Sequence, residues 1–344
     1  MRAAVVRRYG PPELLEIKQL PEPQIKPGEV LIRVRAIGVN FADLLQRMGL
    51  YPNAPKPPFV PGLEVAGVVE RVSESGRSKS SVALRPGDAV AALTSFNAYA
   101  EWVAVPAEQV YPLPQGMSFE DAAAIPVNYL TAFHSIFTMG NLQPGDRILI
   151  HSAAGGVGLA AVQLARSRRL VIFGTASGPK QEFLRKAGVD HPIDYEKADV
   201  VESVRKFAPD GIEMVLDPIG GKSFSQSYKC LGPTGRLVVF GFSAATGSSG
   251  KRNWVSAATA FLQTPRFHPL KLMAGNISVI GVSLTGLQKR PALLQSEMDE
   301  VFRLYAAGKL RPVIGKSFPL AQAADAHRYI HERKNIGKVI LTIR

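Results

Sequence analysis

With 344 residues, 46% hydrophobic and 20% charged, the chain has the composition of a globular protein and length for about two domains, which excludes a disordered or fibrous chain. Its 41 Lys and Arg against 28 Asp and Glu give a formal net charge of +13, but the basic residues are scattered, as at Arg7-Arg8, Arg168-Arg169 and Lys251-Arg252, so a basic surface for anionic cofactors and substrates is a plainer reading than a specific nucleic-acid site. One cysteine, Cys230, excludes an intrachain disulfide and a multi-cysteine zinc lobe.

The N-terminus, MRAAVVRRYGPPE, lacks the apolar segment and cleavage site of a signal peptide, and with the single cysteine this points to a reducing cytoplasm. Residues 1–123 read as a β-rich domain. Val30 to Ala36 alternates, with Ile32, Val34 and Ala36 on one face and Arg33 and Arg35 opposite. Val65 to Val72 is a second strand, broken by Gly67, and Gly87-Asp88 turns the chain into Ala89 to Leu93. Prolines between 52 and 61 demand a loop, and the polar stretch Ser73 to Ser81 reads as another. Ser118 and Asp121 start a helix over Glu120 to Ile125 in the manner of a capping box. A second helix, Tyr129 to Met139, leads to the turn Gln143-Pro144-Gly145.

Residues 146–177 carry the strongest signal. Arg147 to His151 is a short apolar run, Ser152 to Gly158 a turn of small residues, Leu159 to Ser167 helical in spacing, and Leu170 to Thr175 a second buried strand. Strand, glycine turn, helix and strand make one βαβ unit. Gly155 lets a backbone approach a pyrophosphate and Gly158 lets helix and strand pack closely, while Gly156 adds freedom. Ala153 stands at the first position of the fingerprint, so the pattern is A-x-G-x-x-G. Helix N–H groups and the positive end of the helix dipole face the phosphates. Apolar length alone lets 148–165 pass for a membrane span, but its row of small residues fits that badly. An NAD site places an acid about 20 residues on. Here the strand ends Gly174-Thr175-Ala176-Ser177 with Lys180 following, and a hydroxyl plus an ammonium suit the 2′-phosphate of NADPH. The plainer alternative is that Lys180 is a solvated lysine opening the helix 181–187. His151 is read as supporting the turn.

Beyond it, helices near 180–187, 199–207 and 222–231 alternate with strands near Ile193, Glu213 to Asp217 and Arg236 to Gly241, and Ile277 to Val282 completes six parallel strands. This is a doubly wound parallel sheet, giving a domain over 124–284. Residues 244–275 form a long excursion with Lys251-Arg252 and the aromatics Trp254, Phe261 and Phe267, readable as a lid, a dimer contact or plain packing. The segment 285–344 holds helices near 293–307 and 320–330 and a closing strand, Lys338 to Ile343.

The chain resembles the zinc-independent medium-chain dehydrogenase/reductases, specifically their NADPH:quinone oxidoreductase branch, and within it looks closest to the vesicle amine transport protein homologues. The resemblance spans essentially the whole chain. It rests on GVNFADLLQRMGLYP (Gly38 to Pro52), PGLEVAGVV (Pro61 to Val69), NLQPGDRILIHSAAGGVGLAAVQLAR (Asn141 to Arg166), AGVDHPIDY (Ala187 to Tyr195), DPIGG (Asp217 to Gly221) and NIGKVIL (Asn335 to Leu341). It implies a GroES-like catalytic domain built from 1–123 and the returning 285–344, a Rossmann domain between them, homodimers, and a cleft where nicotinamide meets substrate. Carried over by motif, Ala154, Gly155, Gly156, Val157 and Gly158 cradle the pyrophosphate. Gly174, Ser177, Lys180 and Tyr195 surround the adenosine 2′-phosphate. Thr131, Phe240 and Gly241 lie near the nicotinamide, Asn335 reaches the cofactor from the tail, and Asn40 and Tyr51 line the substrate cleft. Zinc members place Cys, His and a carboxylate where this chain has Gly38 to Asp43 and Gly62-Leu63-Glu64, so no metal is expected.

Without a Lewis acid, the favoured acceptors are quinones or conjugated enones and enals. Tyr51 and Asn40 are the candidate donors to the developing oxyanion, each against a plainer reading as a packing aromatic and a strand-end turn residue. Asp43 is a candidate proton relay or, more plainly, a capping carboxylate. An enoyl-thioester reductase is the alternative activity. An NADPH-binding interaction protein with little turnover is the alternative of another class.

Overall fold

The computed structural model describes residues 1–52, 54–73, 83–246 and 254–343, with the backbone alone for residue 254. The segment expected as a loop after Ser73 and the Lys251-Arg252 pair lie outside the described residues. The chain forms two compact units, one of Met1–Leu130 with Leu284–Arg344 and one of Thr131–Gly247 with Asn253–Ser283.

The first unit opens with strands β1 (Arg2–Val6) and β2 (Leu15–Gln19), an antiparallel pair that the sequence reading missed. Strand β3 (Glu29–Val39) buries Ile32, Val34 and Ala36 and exposes Arg33 and Arg35, as its alternation requires, before running fully buried to Val39. Helix α1 (Phe41–Met48) follows, then β4 (Glu64–Val72), β5 (Ala89–Leu93), β6 (Trp102–Pro106) and β7 (Val110–Pro112). Helix α2 (Phe119–Ala123) is capped by the Ser118 side chain, which accepts from the Asp121 N–H. Its Ala122 and Ala123 pack on Ala36, Ala66 and Ala91, small residues that bring helix and sheet close together. Helix α3 (Pro126–Phe133) starts earlier than the expected Tyr129, because Pro126 suits a first helical position, and then widens into a π-helical turn, His134–Met139.

The second unit holds β8 (Arg147–Ile150), α4 (Gly156–Ser167), β9 (Val171–Ala176), α5 (Gln181–Ala187), β10 (His191–Asp194), α6 (Val200–Phe207), β11 (Ile212–Asp217), α7 (Lys222–Cys230), β12 (Leu231–Val239), α8 (Trp254–Leu262), α9 (Pro269–Gly275) and β13 (Ser278–Gly281). The sheet order is β10-β9-β8-β11-β12-β13, all parallel. This is the doubly wound order, with its switch point between β8 and β11, where ligands bind beyond the carboxyl ends of the strands. Strand β12 begins earlier than Arg236 because the ladder shifts register across Gly232-Pro233 and then resumes.

The tail returns to the first unit as α10 (Leu284–Leu287), α11 (Pro291–Ala306), β14 (Ile314–Pro319), α12 (Ala323–His331) and β15 (Lys338–Thr342). It completes a seven-stranded sheet of order β14-β15-β3-β4-β5-β7, with β6 paired to β3. No helix among the described residues is long and apolar enough to cross a membrane.

Candidate active site

In the second unit the end of β8 passes into the glycine turn through Ser152, which takes a left-handed φ of 53°. Its carbonyl accepts from the Gly155 N–H at 2.9 Å, and the Ala153 N–H donates to the Thr175 carbonyl at 2.9 Å. A Cβ at Gly158 would strike the Ser152 carbonyl oxygen and the Ala153 backbone, so only glycine lets α4 start this close beneath the turn. Helix α4 begins at Gly156 with Gly155 as its N-cap residue, inside the turn rather than at the expected Leu159. Its first N–H groups therefore belong to the segment Ala154 to Gly158, an anion-receiving arrangement.

Gly174 lies on β9, and β10 pairs with β9 so that Asp194 stands opposite Ala176. Ser177 and Tyr195 therefore leave neighbouring strand ends side by side, with Tyr195 41% exposed. Lys180 closes the 3₁₀ turn Gly178–Lys180 directly after Ser177. The strand register thus gathers Gly174, Ser177, Lys180 and Tyr195 at one corner, with no carboxylate on the last residues of β9. Phe240 and Gly241 follow the end of β12, and Thr131 is buried in α3 with its carbonyl accepting from the Ser135 hydroxyl at 2.7 Å.

In the first unit three adjacent strands converge on a buried polar cluster. Asn40 directly follows β3, Glu64 opens β4 and Lys338 opens β15, and the registers pair Val39 with Val339 and Ile37 with Val65. Lys338 Nζ donates to Glu64 Oε1, to Asn40 Oδ1 at 2.7 Å and to Asn128 Oδ1 at 3.5 Å. Asn40 Nδ2 donates to Glu64 Oε1 at 2.8 Å and to the Gly38 carbonyl at 3.3 Å. Glu64 Oε2 accepts the Val127 N–H at 2.7 Å, capping the first turn of α3 with a carboxylate. Lys338 is 3% exposed and Glu64 fully buried. Both amide hydrogens of Asn40 therefore point at protein acceptors, so in this arrangement Asn40 holds the ion pair instead of facing a ligand as the expected donor. Lys338 and Asn128 escaped the sequence reading. Their one signal was a lysine opening the apolar strand KVIL.

Asp43, on α1, is a capping carboxylate: its Oδ2 accepts the Asn40 N–H at 2.8 Å and the Tyr99 hydroxyl at 3.0 Å. Burial pushes its carboxyl up to about 7, against those two donors and the Lys338 charge. Tyr99 meets His327 Nε2 at 3.0 Å, and Arg47 Nε donates to His327 Nδ1 at 3.2 Å. Burial first, and the Arg47 charge second, hold the His327 pKa well below its ordinary value, so the ring is neutral. With Nδ1 accepting, Nε2 carries the proton and donates to Tyr99. This chain packs α1 against α12. Tyr51, half-buried beyond the end of α1, has its phenol 2.9 Å from Thr285 Oγ1. Asn335 precedes β15, and its Nδ2 donates to the Gly337 carbonyl at 3.2 Å.

Two family models match the chain: the alcohol dehydrogenase GroES-like domain over residues 26–115 and the zinc-binding dehydrogenase domain over residues 187–341. The synaptic vesicle membrane protein VAT-1 homolog of Danio rerio is 42% identical over 344 residues, covering 99% of this chain and 70% of that protein. The quinone oxidoreductase of Homo sapiens is 32% identical over 353 residues, covering all of this chain and 98% of that one. The crystal structure of Escherichia coli quinone oxidoreductase complexed with NADPH superposes with a TM-score of 0.87 at 28% identity, each chain covered in full.

Proposed function

Because the chain belongs to the medium-chain dehydrogenase/reductase family, in its NADPH:quinone oxidoreductase branch, we propose that its acceptors are quinones, with conjugated enones and enals as the neighbouring class. The protein is an NADPH-dependent oxidoreductase. The single observation that carries the choice of acceptor is the Lys338–Glu64 pair. The zinc-binding dehydrogenase model implies a metal, but the residues here do not fit one. A buried ammonium sits on Glu64, Asn40 stands beside it, and no group of three or more His, Cys, Asp or Glu among the described residues is arranged to hold an ion. A site without a Lewis acid suits acceptors that are already electrophilic.

The residues at the glycine turn fit the cofactor. The glycine turn that Gly158 lets α4 approach, the first N–H groups of α4, and Ser177, Lys180 and Tyr195 beside the end of β9, which carries no acid, suit a pyrophosphate and a 2′-phosphate. When bound, the nicotinamide supplies the hydride. The acceptor oxygen then gains charge, and the Tyr51 phenol, 2.9 Å from the Thr285 hydroxyl, is the donor proposed to meet it. One such donor contributes roughly 2.7–4 kcal/mol to the transition state. The one buried thiol, Cys230, fits a reducing cytoplasmic setting.

The test is NADPH oxidation, followed by absorbance, against 1,4-benzoquinone, 9,10-phenanthrenequinone, an alkenal and crotonyl-CoA, with NADH as control. Turnover of the quinones is expected. Preference for crotonyl-CoA would replace this reading with an enoyl-thioester reductase, and silence with NADPH still bound would leave a binding protein.

The same family reading includes a homodimer. It is supported by the apolar helices α8 and α9, which expose Phe261 (74%), Leu262 (82%), Leu270 (63%) and Met273 (69%), and by β13, the edge strand of its sheet. Light scattering at micromolar concentration should give twice the chain mass, and Leu262→Glu with Met273→Glu should halve it. A wild-type monomer would end the proposal.

A further inference from the structure

The loop after β11 and the turn after β8 are joined by a buried chain of hydrogen bonds whose direction is forced. Asp217 Oδ2 is an acceptor, so the Ser227 hydroxyl 2.6 Å away donates to it. The Ser227 oxygen is then left to accept, and His151 Nε2, 3.0 Å away, must carry the hydrogen. A neutral ring with its proton on Nε2 has a bare Nδ1, which accepts from the Thr175 hydroxyl at 3.2 Å. Thr175 Oγ1 in turn accepts the Ser152 N–H at 3.2 Å. Burial lowers the His151 pKa, opposed by the Asp217 charge, in keeping with a neutral ring. At the other end Asp217 also holds its own loop, accepting the Ile219 N–H at 2.7 Å and the Gly220 N–H at 3.4 Å through Oδ1 and the Ser223 hydroxyl at 2.7 Å through Oδ2.

The two ends of this chain sit where a dinucleotide is received. Strands β8 and β11 are neighbours at the switch point of the sheet. Ser152 is the left-handed residue at the root of the glycine turn, a conformation that costs a non-glycine residue free energy and needs its surroundings to hold it. Its carbonyl is fixed by Gly155 and its N–H by Thr175. The 217–221 loop likewise contains two left-handed residues, Gly220 and Gly221.

We propose that His151 is a positioning residue for NADPH: through Thr175 it sets Ser152 and hence the phosphate-binding turn, and through Ser227 and Asp217 it makes that turn and the 217–221 loop a single preorganised receptor. The inference rests on NADPH as the cofactor. It adds His151, Thr175 and Ser227, none of which need touch the cofactor.

The test is a double-mutant cycle on NADPH affinity, with wild type measured first, since a wild type that binds no NADPH defeats the cofactor assignment itself. In His151→Leu the dissociation constant for NADPH should rise about tenfold, and in Ser227→Ala several-fold. The double variant should bind no more weakly than His151→Leu, because one chain is already broken. With 9,10-phenanthrenequinone at saturating NADPH, kcat should stay within about threefold of wild type. His151→Gln, which keeps a donor and an acceptor, should recover part of the affinity. Thr175→Val, which keeps shape and leaves the ring in place, gives an independent arm should His151→Leu fail to fold, and should raise the constant similarly. Unchanged affinity in Thr175→Val, or losses that multiply in the double variant, would overturn the proposal.

Discussion

Lys338→Met is expected to destabilise the protein by about 3–5 kcal/mol, because it leaves the Glu64 carboxylate buried without its counter-charge. The ammonium it removes touches Glu64, Asn40 and Asn128 at once, and all four side chains lie at the start or end of an element. Without it, Glu64 keeps only the Asn40 amide and the Val127 N–H, two donors against a full charge in a dry site. Asn40 Oδ1 loses its donor as well. Adding Glu64→Gln to the same chain should recover most of the loss, since a neutral amide can still accept the Val127 N–H and no buried charge remains. Denaturant midpoints for wild type, both single variants and the double variant read this directly. A single Lys338→Met variant as stable as wild type would show that the ammonium does not balance Glu64, and the metal-free reading of the cluster would lose its support.

That cluster also marks where sequence patterning stops. The six parallel strands of the second unit were legible because runs such as Arg147 to His151 and Leu170 to Thr175 are apolar on both faces, as buried parallel strands must be. The glycine turn was legible from its A-x-G-x-x-G spacing, and at position 158 a Cβ would strike the backbone beneath it. Helix α1 was not, since its buried face carries Asp43, Gln46 and Arg47, which read as exposed in any hydrophobic periodicity. Partners distant in sequence meet two of them: Arg47 donates to His327, 280 residues on, and Gln46 Oε1 accepts the Gly62 N–H. Lys338 is the same case, with Glu64 lying 274 residues away. Strand β12 starts at Leu231, ahead of the expected Arg236, because the ladder passes Gly232-Pro233 with a register shift. Local chemistry singled out the glycine turn, whereas the partner of Glu64 and Asn40 arrives only with Lys338 on the returning tail.

Lys180→Ala is expected to weaken NADPH binding roughly ten- to hundredfold while leaving NADH nearly unchanged, in keeping with about 1.5–3 kcal/mol for a charge-assisted hydrogen bond. The selectivity of that effect follows from position. Lys180 closes the turn after β9, beside Ser177 and the neighbouring strand end with Tyr195, so it belongs to the corner proposed for the 2′-phosphate and not to the pyrophosphate turn at Ala154 to Gly158. NADH lacks that phosphate and has nothing there for an ammonium to pair with. The loss should also shrink as ionic strength rises, because Lys180 is only half-buried and its attraction is screened. Titration of both cofactors at two salt concentrations separates the cases. A selective, salt-sensitive loss of NADPH fits a phosphate contact, whereas equal loss of both cofactors at either salt would mean that Lys180 supports the turn 178–180 and that the 2′-phosphate is held elsewhere.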